Sequence, residues 1–388
     1  MENNQQFKGK NRLIMKSTFF GIFFVGTCFA EPQLQLINIV FRHGDRTPVL
    51  HAIFPTDPYH NSSFYPYGHG GLTNDGKYRI YKFGEFLRRR YKDFLGDVYL
   101  PNLIYVRSTD VDRTKMSAQL VLAALFPPSD LQKWHDTLDW QPIPITYYPK
   151  PLDVILAVTS QSSYLRIDEP TINSLSLSFI RAKKRVSKTE YIRNRLKHFE
   201  AFISQLEKLT GMKIKETYDV TKIYDTLYCE WKMNLTLPSW TNEIFPNGKL
   251  LDAALIDYEL MTYDQNMTYD LVGKLAEKIR EDILAVTNTR ETIERKKLYL
   301  YSGHEVNVVG ALMSLQIYDR DHIPTYGSAV IIELLKENDK YYVKVLYYKG
   351  NSSKVEEMAL PGCSILCPLE HYLTLVYDLL GPAKALRL

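Results

Sequence analysis

Residues 37–48, INIVFRHGDRTP, run an apolar stretch straight into a dense polar one. Arg42, His43, Gly44, Asp45 and Arg46 follow Ile39, Val40 and Phe41 directly. The pattern recurs twice. Leu103–Val106 leads into RSTDVDRT, which carries Arg107, Asp110, Asp112 and Arg113, and Leu298–Tyr301 leads into SGHE, which carries His304 and Glu305. Arginines beside two histidines, with no excess of carboxylates, describe an anion site. A guanidinium is a planar fork that matches a tetrahedral oxyanion bidentately. A phosphoryl group in transfer spreads its charge over three equatorial oxygens, and preorganised cations stabilise that charge. Histidine is a competent nucleophile toward phosphorus. Neighbouring arginines disfavour imidazolium, so His43 is expected to stay neutral into acid solution. The leaving oxygen needs a proton, and Glu305 is the acid at hand.

Other chemistries fit less well. The sequence has no HxH, HExxH or clustered Cys/His spacing, and arginines repel a dication, so no metal or other cofactor is expected. There is no G-x-S-x-G elbow for a serine nucleophile.

The three segments RHGDRTP, RSTDVDRTKMSA and YSGHE resemble the signatures of the histidine acid phosphatase family, in the same order and separation. RHGxRxP has five fixed letters, and a chance match in a chain of this length is on the order of 10⁻⁴ at average residue usage. LAALFPP, LTLPSWTNEIFP and LPGCSILCPL extend the likeness from about Leu34 to Leu369, with the insect venom acid phosphatases as a particular likeness. The resemblance implies a phosphohistidine formed on His43 and a phosphate clamp of Arg42, Arg46, Arg113 and His304. It implies Glu305 as the proton donor, where many members have Asp. The implied activity is hydrolysis of phosphomonoesters in acid. Narrower inositol-phosphate or lysophospholipid phosphatases and catalytically weak binding proteins are the alternatives on the same scaffold. A homodimer is implied only by analogy with relatives.

The elements that must position these residues are also legible. Each of the three apolar runs is followed by a polar loop and a helical pattern, the βα arrangement of an α/β sheet. Ligands of such sheets sit beyond the C-terminal strand ends. Thr73 or Asn74 can cap a helix from Gly76 to about Lys92, with Ile80, Phe83, Leu87 and Tyr91 on its buried stripe. Pro127–Pro128 stop the next helix, and the four prolines within residues 140–151 mark a boundary. The chain then reads as helices, including one over Lys188–Leu209 closed by Gly211 and another over Tyr269–Leu284. Ala329–Leu335 and Tyr341–Tyr348 form a hairpin about Glu337–Asp339. The expected fold class is α/β: a three-layer α/β/α domain with a mixed, mainly parallel sheet, phosphoglycerate mutase-like by resemblance. Residues 31–150 and 290–388 would build it, and residues 151–289 an inserted, mostly helical cap.

Composition bounds the rest. Lys8, Lys10, Arg12 and Lys16 precede the apolar run Phe19–Ala30, the pattern of a secretory signal peptide over residues 1–30. At about a dozen residues the run is short for a membrane span. Removing it leaves 44 basic against 43 acidic residues, from totals of 48 and 44. A nucleic-acid partner therefore lacks electrostatic support. The basic runs Arg88–Arg90 and Lys183–Arg185 read as solvated helix faces. The sequons at Asn61, Asn234, Asn266 and Asn351 suit a secreted, extracellular glycoprotein. Cys363 and Cys367 can pair in such a protein, and Cys229 reads as a buried free thiol. The expected partner is a small phosphomonoester.

Overall fold

The computed structural model describes residues 31–156, 174–288, 295–350 and 355–380. The signal-peptide segment and the Asn351 sequon lie outside them. Strand β1 (Gln33–Arg42) is the centre of the fold. From Leu36 to Phe41 every residue is buried. Leu36 and Val40 enter one core, while Ile37, Ile39 and Phe41 enter a second on the opposite face. A strand apolar at both parities must be covered on both sides, and this one is.

Parallel strands flank β1 on one side. Strands β2 (Ile104–Ser108), β3 (Thr146–Tyr147) and β4 (Leu298–Gly303) add in the order β3-β2-β4-β1. On the other side lie antiparallel β5 (Ala329–Glu337), β6 (Lys340–Tyr348), β7 (Glu356–Met358) and β8 (Cys367–Pro368), the last two both pairing with β6. The sheet is thus mixed, and the fold class is α/β as expected. The expected hairpin is β5–β6. Its two-residue turn places Asn338 and Asp339 at φ 46° and 66°, left-handed values that Asn and Asp tolerate. The two-residue β3 falls in the proline-rich stretch, too short to leave a periodic signal.

Helices α1 (Asn74–Leu95) and α2 (Asp112–Leu125) cover one face. Ile80, Phe83, Leu87 and Tyr91 pack there with Ala118, Val121, Leu122 and Leu125. The α1 cap is Thr73, whose Oγ1 accepts the Gly76 N–H at 3.1 Å. A second group of helices begins with α3 (Ser174–Val186), α4 (Glu190–Lys197) and α5 (Glu200–Thr210). It continues with α6 (Thr217–Lys232) and α7 (Lys249–Met261). These share a core around Phe202, Leu206, Ile223, Leu227 and Leu250. The single helix expected over Lys188–Leu209 is two. The chain tightens at Phe199, whose N–H reaches back only three residues, to Leu196 O, at 2.9 Å. Residues α8 (Gln265–Thr268), a π turn (Tyr269–Gly273) and α9 (Lys274–Asn288) form one continuous run. Together with α10 (Glu305–Ser314) and α11 (Leu369–Leu380), α9 covers the second sheet face. The described residues from Pro32 onward cluster as one compact unit. Cys363 and Cys367 are disulfide-bonded, and Cys229 is free and buried.

Candidate active site

Strands β1, β4 and β2 are neighbours, all parallel, with Arg42 opposite Gly303 and Ser108 opposite Ser302. Their polar C-terminal loops therefore open at one place. That adjacency brings together residues separated by more than 250 positions.

His43 sits at the end of β1, 1% exposed, its N–H bonded to Gly303 O at 3.0 Å. Its Nδ1 lies 2.8 Å from Gly44 O. A carbonyl only accepts, so Nδ1 carries the proton and the Nε2 lone pair is left for chemistry. Arg113 Nε donates to that lone pair at 3.0 Å. Burial is the largest reason the imidazole holds its proton far less tightly than an ordinary histidine, and Arg113, His304, Arg42 and Arg46 add to it. The neutral ring expected from the arginines is therefore due first to desolvation. Gly44 has a specific reason to be glycine. A Cβ there would stand 2.3 Å from Gly76 O, because the loop packs onto the first turn of α1. Its φ is not left-handed, so close approach to a helix, rather than a tight turn beside a ligand, demands the missing side chain.

Three arginines surround the ring. Arg42 Nη1 donates to Pro324 O at 2.7 Å, its guanidinium stacks 4.2 Å from the Tyr326 ring centre, and its Nε is 3.4 Å from Glu305. Arg46 Nη1 donates to Thr47 O and to Cys229 Sγ, both at 3.1 Å, and Nη2 meets both Asp225 oxygens at 2.9 and 2.7 Å. The buried Nε of Arg46 has no hydrogen-bond partner, and that of Arg42 has only its long ion pair to Glu305. Buried donors are normally satisfied, so the Arg46 Nε asks for an acceptor. Arg107 plays another part: it is buried in an ion pair with Asp153 at 2.6 Å.

His304 is the N-cap of α10. Asn307 Oδ1 accepts the His304 N–H at 2.8 Å, and the Asn307 N–H goes to His304 O at 3.1 Å. Gly303 makes room for it, since a Cβ there would lie 2.4 Å from Asn307 Oδ1. The ring sets Nε2 3.1 Å from Thr109 Oγ1. The His304 and His43 ring centres are 5.4 Å apart. Burial, then Arg113 and the other cations, hold His304 neutral as well. Glu305 is the first residue of α10, its side chain 25% exposed. Burial favours its acid form, but Arg42, the backbone and the other arginines outweigh burial and leave the pKa below the usual carboxyl value.

Arg42, Arg46, Arg113, His304 and Glu305 line one pocket of about 160 Å³; His43 does not line it and meets it through Arg113, which covers its Nε2. All six residues singled out in the sequence thus converge. Asp225, Tyr326, Thr109 and Asn307, which no spacing announces, complete the site. Lys183 is no solvated residue: it lines the same pocket, paired with Asp257 at 2.9 Å. Asn61, Asn234 and Asn266 are all exposed. Among the described residues, one trio of metal-ligating side chains gathers, Asp319, Asp321 and His322, and it shares no residue with this pocket.

The family model described as Histidine phosphatase superfamily (branch 2) matches residues 33–348. The chain belongs to that superfamily. This histidine phosphatase is 40% identical over 351 residues to venom acid phosphatase Acph-1 of Apis mellifera, spanning 90% of this chain and 86% of that one. It is 35% identical over 361 residues to human prostatic acid phosphatase, spanning 92% and 88%. Lysosomal acid phosphatase of Xenopus laevis is 34% identical over 355 residues, spanning 90% and 77%. Acid phosphatase is the enzyme class that the family and these relatives support. Among solved structures, a Klebsiella phytase superposes with a TM-score of 0.65 at 16% identity, covering 90% of this chain and 96% of its own, a likeness of fold.

Proposed function

We propose that the protein is a secreted acid phosphatase that hydrolyses phosphomonoesters through a phosphohistidine on His43. The observation that carries this reading is the fixed tautomer of a buried, neutral histidine whose unprotonated Nε2 accepts from Arg113 beside the pocket. A substrate phosphate takes the unpartnered Nε donor of Arg46, meets the Arg42 guanidinium and draws Arg113 off Nε2. The lone pair then attacks phosphorus, the P–O ester bond breaks, and Glu305 protonates the departing oxygen. His304 donates its Nε2–H to an equatorial oxygen. Water, deprotonated by Glu305, then breaks the P–N bond and releases phosphate. Glu305 must carry a proton for the first step, and its low affinity for protons confines that state to acid solution or to the complex with a phosphate anion.

The helices from α3 to α7 act as a cap that sets the leaving-group end of the pocket. Secretion and glycosylation at Asn61, Asn234, Asn266 and Asn351 complete the reading. Among the described residues no helix is long and apolar enough to cross a membrane. The exposed Leu131, Trp134, Leu138 and Trp140 support a second copy of the chain as partner. Hydrolysis of p-nitrophenyl phosphate at acid pH, with EDTA present, tests the activity. His43→Ala is expected to lose it by roughly 10⁴-fold or more. Undiminished turnover by that variant overturns the assignment.

A further inference from the structure

Asp225 belongs to helix α6, and no motif points to it. Its carboxylate faces into the pocket, 23% exposed, and both oxygens meet Arg46 Nη2. With Nη1 already held by Thr47 O and Cys229 Sγ, the guanidinium has one orientation, and its buried Nε is the donor left over. An arginine meant only to attract phosphate needs no carboxylate on it. A negative charge at the phosphate site opposes the substrate, so its presence needs a reason.

Counting charge supplies one. Arg42, Arg46 and Arg113 bring three positive charges to the site, while Asp225 and Glu305 take two away; Lys183 and Lys222 of the same pocket are matched by Asp257 and Asp219, and both histidines are neutral. The empty site is left with one net positive charge. A phosphate dianion overfills it, whereas a dianion arriving with one proton balances it. That proton is the one the leaving oxygen must receive. We propose that Asp225 is a positioning residue that orients Arg46 and, by cancelling one charge, makes phosphate binding depend on uptake of a proton. This rests on the phosphohistidine reading and adds to it the residue that makes the site acid-dependent.

The groups facing Asp225 do not blur this. Arg42 and Arg46 keep their charge throughout. Tyr224 on the same helix, Tyr258 on α7 and Tyr326 before β5 are pushed up by burial and stay neutral. Burial likewise pushes the Cys229 thiol up to about 12. His51, in the loop after β1, is held below the usual histidine range by burial and by Lys222, which favours its neutral form.

The test measures the inhibition constant of inorganic phosphate from pH 4.5 to 7.5, for the parent, Asp225→Asn, Asp225→Glu and Asp225→Ala. The parent is expected to lose affinity with rising pH by about one proton's worth, tenfold per unit, once phosphate is a dianion. Asp225→Asn keeps an acceptor on Arg46 without the charge. It is expected to flatten that slope and to bind phosphate about tenfold more tightly than the parent at pH 7.5. Asp225→Glu retains the slope, and Asp225→Ala, with Arg46 released, loses affinity at every pH. Parallel curves for the parent and Asp225→Asn overturn the inference. Where the Asn variant yields no folded protein, Asp225→Gln removes the same charge, keeps an amide acceptor and is read against Asp225→Glu in the same way. His43→Ala in the same series separates the two readings. If it binds phosphate but no longer turns over ester, parallel curves for Asp225→Asn sink the role of Asp225 alone. If it still turns over ester, the phosphohistidine reading fails instead.

Discussion

The chemistry rests on hydrogen bonds that decide which atom of each side chain is available. His43 gives Nδ1–H to its neighbour's carbonyl and keeps its Nε2 lone pair, while His304 sets Nε2 against Thr109 Oγ1. The two ring centres lie 5.4 Å apart. The six residues proposed for the chemistry could be picked out because charged groups following apolar strands are rare without a use. Asp225 and Tyr326 were not, because each sits in an otherwise ordinary helix or loop and gains meaning only across 179 and about 280 residues of chain. Two outcomes are expected at this scale. Arg42→Ala should lower kcat/KM by about 10²–10³, the effect of deleting one donor to developing negative charge. Glu305→Gln should lower kcat by about 10²–10⁴ on alkyl phosphates. It should do much less on p-nitrophenyl phosphate, whose leaving group needs no proton. Equal losses on both would show that Glu305 is not the acid.

Among elements, the contact of the β1 loop with α1 and the cap of α10 set the geometry. Gly44 and Gly76 let loop and helix touch backbone to backbone, so Gly44→Ala must push them apart. The α10 cap is built by Asn307, whose Nδ2 also donates to Leu156 O at 3.0 Å. Asp153 Oδ1 holds the Leu156 N–H at 3.0 Å and pairs with Arg107, so the buried arginine of the second motif supports His304 from a distance. Asn307→Ala is expected to cost about 1–2 kcal/mol of stability, as lost caps do. It should also lower kcat/KM by up to ~10²-fold through misplacement of His304. Urea titration and steady-state kinetics on the same sample check both, and an unchanged kcat/KM would contradict the positioning role. The element pattern was readable where it was periodic, as in α1 and the β5–β6 hairpin. It failed at the break between α4 and α5, where the apolar spacing runs on across a local tightening of the backbone.

For the whole molecule, parallel β2, β4 and β1 lie side by side, and antiparallel strands complete the sheet beyond them. The two-core burial of β1 was visible in its sequence, but strand order was not, since no local pattern encodes which strand neighbours which. The fold also carries a global pH dependence. Glu230 of α6 is fully buried against Asp57 of the loop after β1, and among the described residues no cation acts on its carboxyl. Burial first, then the neighbouring carboxylate, raises the Glu230 pKa to about 9. The folded state therefore binds a proton that the unfolded chain releases above its ordinary carboxyl value near 4.5. Stability contributed by this group is complete below that value and is lost as pH rises toward 9, with a slope of at most about 1.4 kcal/mol per pH unit. Thermal unfolding should shift downward between pH 5 and pH 8, and Glu230→Gln should weaken the shift. An identical pH dependence in that variant would remove Glu230 from the account.

The most direct measurement quenches the enzyme in alkali during turnover of a ³²P-labelled phosphomonoester, then maps the label by peptide mass spectrometry. Phosphohistidine survives alkali and is lost in acid, so it can be told from a phosphoserine or an acyl phosphate. The expected result is label on the peptide carrying His43, at Nε2, and none in His43→Ala. Label on another residue, or full turnover with no trapped phosphoenzyme in a rapid-quench burst, would contradict the mechanism at its root.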